Sequence, residues 1–142
     1  MEKILKLILT ILFINTFSFK ALSEEKKYPR LEYMQIEQAE KKWGVTPFDV
    51  RKFKEGSEST RASMVVNMIQ KKYYIGKPLK QVRAELGTHD GYIVNDAIPA
   101  YIITPKVPKG QKITEVWQVV FLPDENWTNT KEVKIHKNCC YK

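Results

Sequence analysis

The chain has 142 residues, room for one modest domain, and it is basic, with 24 Lys and Arg against 16 Asp and Glu and a net charge of +8. Its lysines are scattered among glutamates with no basic stripe interleaved with aromatics, which argues against a nucleic-acid-binding protein. In an exported protein this charge suits anionic lipid, lipopolysaccharide or acidic partners, and the plainer alternative is a solvated surface that maintains solubility.

Residues 1–23 read as a cleaved secretory signal. Lys3 and Lys6 make a basic start, residues 7–19 are an apolar run, and Ala21-Leu22-Ser23 is a small-x-small cleavage signature. The run is short for a transmembrane helix and Lys20 closes it; a retained N-terminal anchor is the alternative. Cleavage before Glu24 removes three lysines and Glu2 and leaves the remainder basic. The expected location is periplasmic or secreted, in a Gram-negative bacterium. No cysteine follows the leader to carry a lipid, so no lipid anchor is expected.

Residues 24–56 read as an N-terminal helical arm. After a polar lead-in over 24–30, Ile36, Ala39 and Trp43 share one side of a helix over 36–43, and Gly44 stands just past its end. Thr46-Pro47-Phe48-Asp49 looks like the next helix start: a Thr cap, Pro at the first position and an acid three after the cap. That helix reaches about Lys54 and stops at Gly56. Trp43, Phe48 and Phe53 are expected to cover the core helices, the alternative being contact with another molecule.

Residues 57–138 form the predicted domain. Ser57 or Ser59 caps a helix over about 60–73, with Met64, Val65, Met68 and Ile69 on its apolar face. Gly76 is the hinge to a second helix, which Pro78 opens and Gly87 ends, with Leu79, Val82 and Leu86 as its stripe. Asp90-Gly91 is a turn. Residues 92–94 and 100–104 read as a broken strand or a small hairpin, and 106–112 as a polar loop. Residues 113–122 are the strongest strand. Trp117, Val119 and Phe121 point one way, Val116, Val120 and Leu122 the other. Residues 123–129 turn the chain, and 130–136 alternate as an edge strand, Val133 and Ile135 inward and Glu132, Lys134 and His136 outward. The sum is α+β, short helices packed on one face of a small antiparallel sheet, with the helical arm as an addition.

Gly76, Val82, Leu86-Gly87 and Asp90 followed by strands, with Trp117-x-Val119-x-Phe121 and then Asp124, resemble the BamE/SmpA-like small outer-membrane lipoproteins, whose fold is shared with the repeats of β-lactamase-inhibitor proteins. The resemblance covers about residues 61–136. The chain departs from it at His89, where the family usually has Pro, and in lacking the lipidated cysteine. It implies a two-layer sandwich and a role in envelope assembly or maintenance, with contacts to another envelope protein and to anionic phospholipid. The missing lipid anchor puts a place at the outer membrane, and barrel assembly itself, in doubt.

The residues point to no catalytic set, metal site or cofactor. Cys139 and Cys140 are the only cysteines, in a tail over 139–142. In an oxidising compartment they form a strained vicinal disulfide, bridge two chains, or react with an oxidoreductase. A metal would need His136, both thiolates and a fourth ligand, and adjacent cysteines seldom converge on one ion. His89-Asp90 is a base beside a carboxylate, with no nucleophile in motif context. Asn126-Trp127-Thr128 matches a glycosylation pattern, and Trp127 at a hairpin tip is its notable residue. The expected contact surface is the strand face of Val116, Val120 and Leu122, joined by Tyr101 and Ile103 if pairing brings them level, unless the arm folds over it. The reading is a non-enzymatic envelope binding or scaffold protein. An inhibitor or immunity-type protein and a thiol-based enzyme are the alternatives, and a homodimer stays open.

Overall fold

The computed structural model describes residues 31–104, 110 and 115–138. The leader, the lead-in over 24–30, most of the 106–112 loop and the Cys139–Cys140 pair lie outside the described residues. The elements run β1 (Tyr33–Met34), α1 (Ile36–Trp43), α2 (Val50–Glu55), α3 (Glu58–Gln70), α4 (Leu79–Leu86), β2 (Ala100–Ile102), β3 (Val116–Pro123) and β4 (Thr130–Asn138). The fold is α+β, with an antiparallel sheet in the order β1-β4-β3-β2.

The helix ends follow from local chemistry. Gly44 and Gly87 end α1 and α4 at positive φ, 74° and 85°, and their N–H groups bond Glu40 O and Arg83 O. Ser57 Oγ accepts the N–H of Thr60 at the start of α3. The start of α2 differs from expectation. Asp49, not Thr46, is its cap, accepting Lys52 N–H at 2.8 Å. Residues 46–48 are held out of the helix, because Thr46 N–H bonds Ser63 O and Phe48 N–H bonds Asn67 Oδ1. Two adjacent cap sequences competed, and the one free of bonds to α3 won.

The helices form a single layer in which α1 packs on α3 and α2 packs on α3 and α4. The arm is therefore part of the core: Ala39 and Phe53 are fully buried in it, and Trp43 and Phe48 pack against it. The sheet contributes Trp117, Val119, Phe121 and Ile135. Edge-to-face aromatic contacts stitch the layers together, Phe53 to Tyr101 at 5.9 Å, Tyr101 to Phe121 at 5.9 Å and Phe121 to Tyr74 at 5.4 Å. Burial pushes the Tyr101 hydroxyl up to about 12; it donates to Gly87 O at 2.9 Å.

Four strand expectations are corrected. Residues 92–94 are loop, because the Gln118 side chain, not a neighbouring strand, takes the Tyr92 N–H and C=O. The chain closes the sheet with a two-residue β1 that the sequence pattern did not show, so β4 is covered over Ile135 and His136 instead of being an edge. His136 does lie on the outward face, opposite Gln118, but it is buried there rather than wet. Finally, Tyr101 pairs with Val119, and cross-strand partners share a face. Tyr101 and Ile103 therefore sit in the core under the helices, separated from Val120.

The opposite face is closed as well. Val116 is 7% exposed and Val120 0%, while Leu122 is half-buried. The helices of the arm do not do this, since they pack on the other side, but Tyr33 of β1 lies against His136 on this face. The loop before β2 contributes, with Ile98 buried and Tyr92 bonded to Gln118. Val120→Glu would bury a carboxylate whose cross-strand neighbour Lys134 is already paired to Glu132, and it should lower the unfolding free energy by ~3 kcal/mol, read from urea denaturation. Gly87→Val forces a Cβ-bearing residue into the left-handed region and should cost about 1–2 kcal/mol by the same measurement.

Candidate functional site

The strongest candidate surface lies where two connections meet at one end of the sheet. Asp124 organises the β3–β4 hairpin. Its Oδ1 accepts the N–H groups of Thr128 at 2.9 Å and Asn129 at 3.3 Å, and its Oδ2 accepts Asn129 Nδ2. The N–H of Thr128 foremost among these bonds holds the Asp124 carboxyl below its usual range. Inside this frame Trp127 N–H donates to Asp124 O, and Trp127 adopts φ 58° with the residue 52% exposed. A left-handed Trp is costly backbone for a residue that buries so little of itself.

The α3–α4 connection docks along this hairpin. Lys72 at φ 52° and Gly76 at φ 79° turn the chain. Gly76 N–H then bonds Thr130 O, Thr130 N–H bonds Lys77 O, and Leu79 N–H bonds Thr128 O. Sequence-distant Ile75 and Trp127 are thereby placed on one end of the molecule. Between the two segments lies a shallow depression of about 500 Å³, with Ile75 and Gly76 on one side and Asn126, Asn129 and Lys131 on the other. Thr130 also lines it, and its buried Oγ1 has no hydrogen-bond partner.

Ile75, on its wall, is exposed, and so is Tyr73 two residues earlier, whose ring packs on Phe48. Lys77 Nζ stands 3.8 Å from the Tyr73 ring centre and 4.9 Å from that of Tyr74. Tyr74 is buried and donates to Glu85 Oε2 at 2.8 Å, and burial together with that carboxylate pushes its hydroxyl far up. Burial works to raise the Glu85 carboxyl, but hydrogen bonds from Gln81 and Tyr74 outweigh it and hold Glu85 low. The two segments carry Lys71, Lys72, Lys77 and Lys131 against Asp124 and Glu125. The two segments thus join exposed apolar residues with a net positive charge.

The other sequence candidates are placed elsewhere. Val116, Val120 and Leu122 share a face, from which Tyr101 and Ile103 are excluded. Asp90 has both oxygens committed, Oδ2 to Arg61 Nη1 and Oδ1 to Ile102 N–H, each at 2.8 Å, so it does not orient His89 as a base. Gly76 and Gly87 are turn residues at positive φ, as their positions suggested. Among the described residues no group of three His, Cys, Asp or Glu side chains is placed to hold a metal. No helix among them is long and apolar enough to cross a membrane. Comparison with models of known families, with curated proteins and with solved structures finds no match.

Of the surface residues, Trp127 was marked by the sequence as a hairpin tip. Tyr73 and Ile75 were not, because their nearness to it arises from pairing between segments some fifty residues apart. If Trp127 is kept in spite of its backbone, Trp127→Gly should raise the unfolding free energy by ~0.5–1 kcal/mol, the left-handed penalty less the entropy of glycine. Thermal or urea denaturation of the purified protein measures this.

Proposed function

We propose that the chain is an exported, non-enzymatic binding or scaffold protein of the bacterial cell envelope, and that it binds through the end built by residues 71–78 and 123–131. The observation that carries this is Trp127, held in a left-handed conformation by the Asp124 network with the residue half in solvent. Strained backbone supporting an exposed aromatic is a pattern of contact residues, and Trp and Tyr are the side chains that most often anchor protein interfaces. Tyr73 and Ile75 add to the exposed apolar residues, and the lysines of the two segments favour a partner with an acidic rim. Export rests on the leader at 1–23, and the envelope role on the resemblance to BamE/SmpA-like lipoproteins.

The same geometry favours a second reading. A hairpin whose tip is pinned by three donors to one carboxylate can insert its aromatic into a concave enzyme site with little loss of entropy on binding. This is the inhibitor or immunity-type alternative, and a bound hydrolase identifies it.

Photo-crosslinking in intact cells tests the surface. A benzophenone amino acid at Trp127 or Ile75 should give one discrete protein adduct in the envelope fraction, and the same probe at Val94, on the loop bordering β2, should not. Adduct formation at Val94 with none at Trp127 and Ile75 would place the contact surface elsewhere.

A further inference from the structure

The outer face of the sheet carries a buried polar chain that the contact surface does not use. Gln118 and His136 are opposite each other on β3 and β4, 0% and 3% exposed. Gln118 Oε1 accepts the Tyr92 N–H at 2.9 Å, and Gln118 Nε2 donates to Tyr92 O. The Tyr92 backbone thus fixes which end of the amide is oxygen. Nε2 also lies 3.0 Å from His136 Nδ1, so that nitrogen must accept and the imidazole must be the neutral Nε2–H tautomer.

Protonation of His136 cannot be accommodated without breaking this arrangement. An N–H on Nδ1 would face the N–H of Gln118 Nε2. Rotating the amide by half a turn would offer Oε1 to the imidazolium, but it would then set Nε2 against the Tyr92 N–H and Oε1 against Tyr92 O. Left unrotated, the amide loses His136 and faces a buried imidazolium with opposed N–H groups. Rotated to accept from the imidazolium, it loses both Tyr92 bonds, and that rotation is the releasing step. The segment so released is bounded by two independent clamps. Asp90 is held by Arg61, and Asp96 O and Ala97 O accept from Arg83.

We propose that His136 and Gln118 form a pH-sensitive latch that holds residues 91–95 closed at neutral pH and releases them when His136 is protonated. Among the described residues the charged and titratable groups around the imidazole are few. The Tyr33 ring on β1 lies 5.6 Å away, with Lys134 Nζ 5.0 Å from its centre, and Lys134 is itself paired to Glu132. Glu32, just before β1, is paired to Lys137. Burial lowers the imidazole from its ordinary 6.5, against an opposing pull from Glu32. Between the folded and unfolded values the unfolded or unlatched chain binds the extra proton. Stability is therefore complete above about 6.5 and falls as the pH drops from there. Tyr92 and Val94 are already exposed, so release uncovers the loop's inner side and the Ala100 carbonyl that Gly91 N–H now occupies.

Amide hydrogen exchange on the full chain, corrected for intrinsic rates, tests the latch. The protection of Tyr92 should fall by about tenfold or more between about pH 7.5 and about pH 4.5, the expected effect of losing two hydrogen bonds. The amide of Ile103, bonded to Trp117 O within the sheet, should keep its protection. In His136→Gln, whose amide oxygen accepts from Gln118 at every pH, Tyr92 should show no such change. A pH-independent Tyr92 in the wild type, an equal fall in the variant, or parallel loss at Ile103 would each overturn the proposal. Imidazole nitrogen shifts of the wild type give a test that needs no variant. The Nε2–H tautomer at neutral pH supports the latch, and the Nδ1–H tautomer refutes it.

Discussion

Arg61 is the point on which the two layers depend. It projects from α3 and its guanidinium donates from Nε to Phe53 O on α2, from Nη1 to Asp90, and weakly to Ile102 O on β2. Its charge lies 5.8 Å from the Phe53 ring centre and 6.0 Å from that of Tyr101. Asp90 in turn takes the Ile102 N–H, an edge donor of β2 that no strand pairs. One half-buried ion pair therefore fixes α2 to α3, terminates the sheet at β2 and sets where the chain leaves α4. A lysine would keep the charge but lose the fork that reaches three elements at once. The pair is partly in solvent, so its value lies in this geometry more than in Coulomb attraction.

The two faces of the sheet are finished by different physics. On the helix side the strands meet aromatic rings, and the contacts there tolerate small shifts because each ring touches several others. On the other side Gln118 and His136 must satisfy named donors and acceptors, and a wrong orientation leaves a buried group unpaired. Gly91 shows how close the fit is. A Cβ there would collide with Gln118 Oε1 and stand 3.1 Å from Ala100. The end formed by residues 71–78 and 123–131 is a third environment, where exposed Tyr73 and Trp127 sit on connections joined to each other by backbone hydrogen bonds.

How much of this was legible follows from which forces were local. The ends of α1 and α4 were readable because Gly44, Pro78 and Gly87 act through their own backbone. The inward side of β3 was readable because three large residues alternate. The face of Tyr101 was not, since the register of β2 on β3 is set across a long connection and a one-residue slip reverses every side chain. Residues 92–94 carried strand-forming side chains, yet a glutamine on another strand satisfied their backbone. β1, at two residues, is below what any periodicity can show. The candidate site was half legible: the Trp127 tip lay in a recognisable turn, but its neighbours came from tertiary pairing.

The order β1-β4-β3-β2 has a consequence for synthesis. β1 pairs with β4, and Glu32 reaches Lys137 across a separation of 105 residues. The sheet cannot be closed until its last strand has been made, and the cost of closing so long a loop falls late in folding. Until then the N-terminal helices have no completed sheet to lie on, and helices this short do not persist alone in water. A ribosome-bound chain of this topology lacks a completed sheet until nearly its whole length has been made. A polypeptide without a closed sheet can be threaded through a membrane channel, so delayed closure is compatible with the export proposed above.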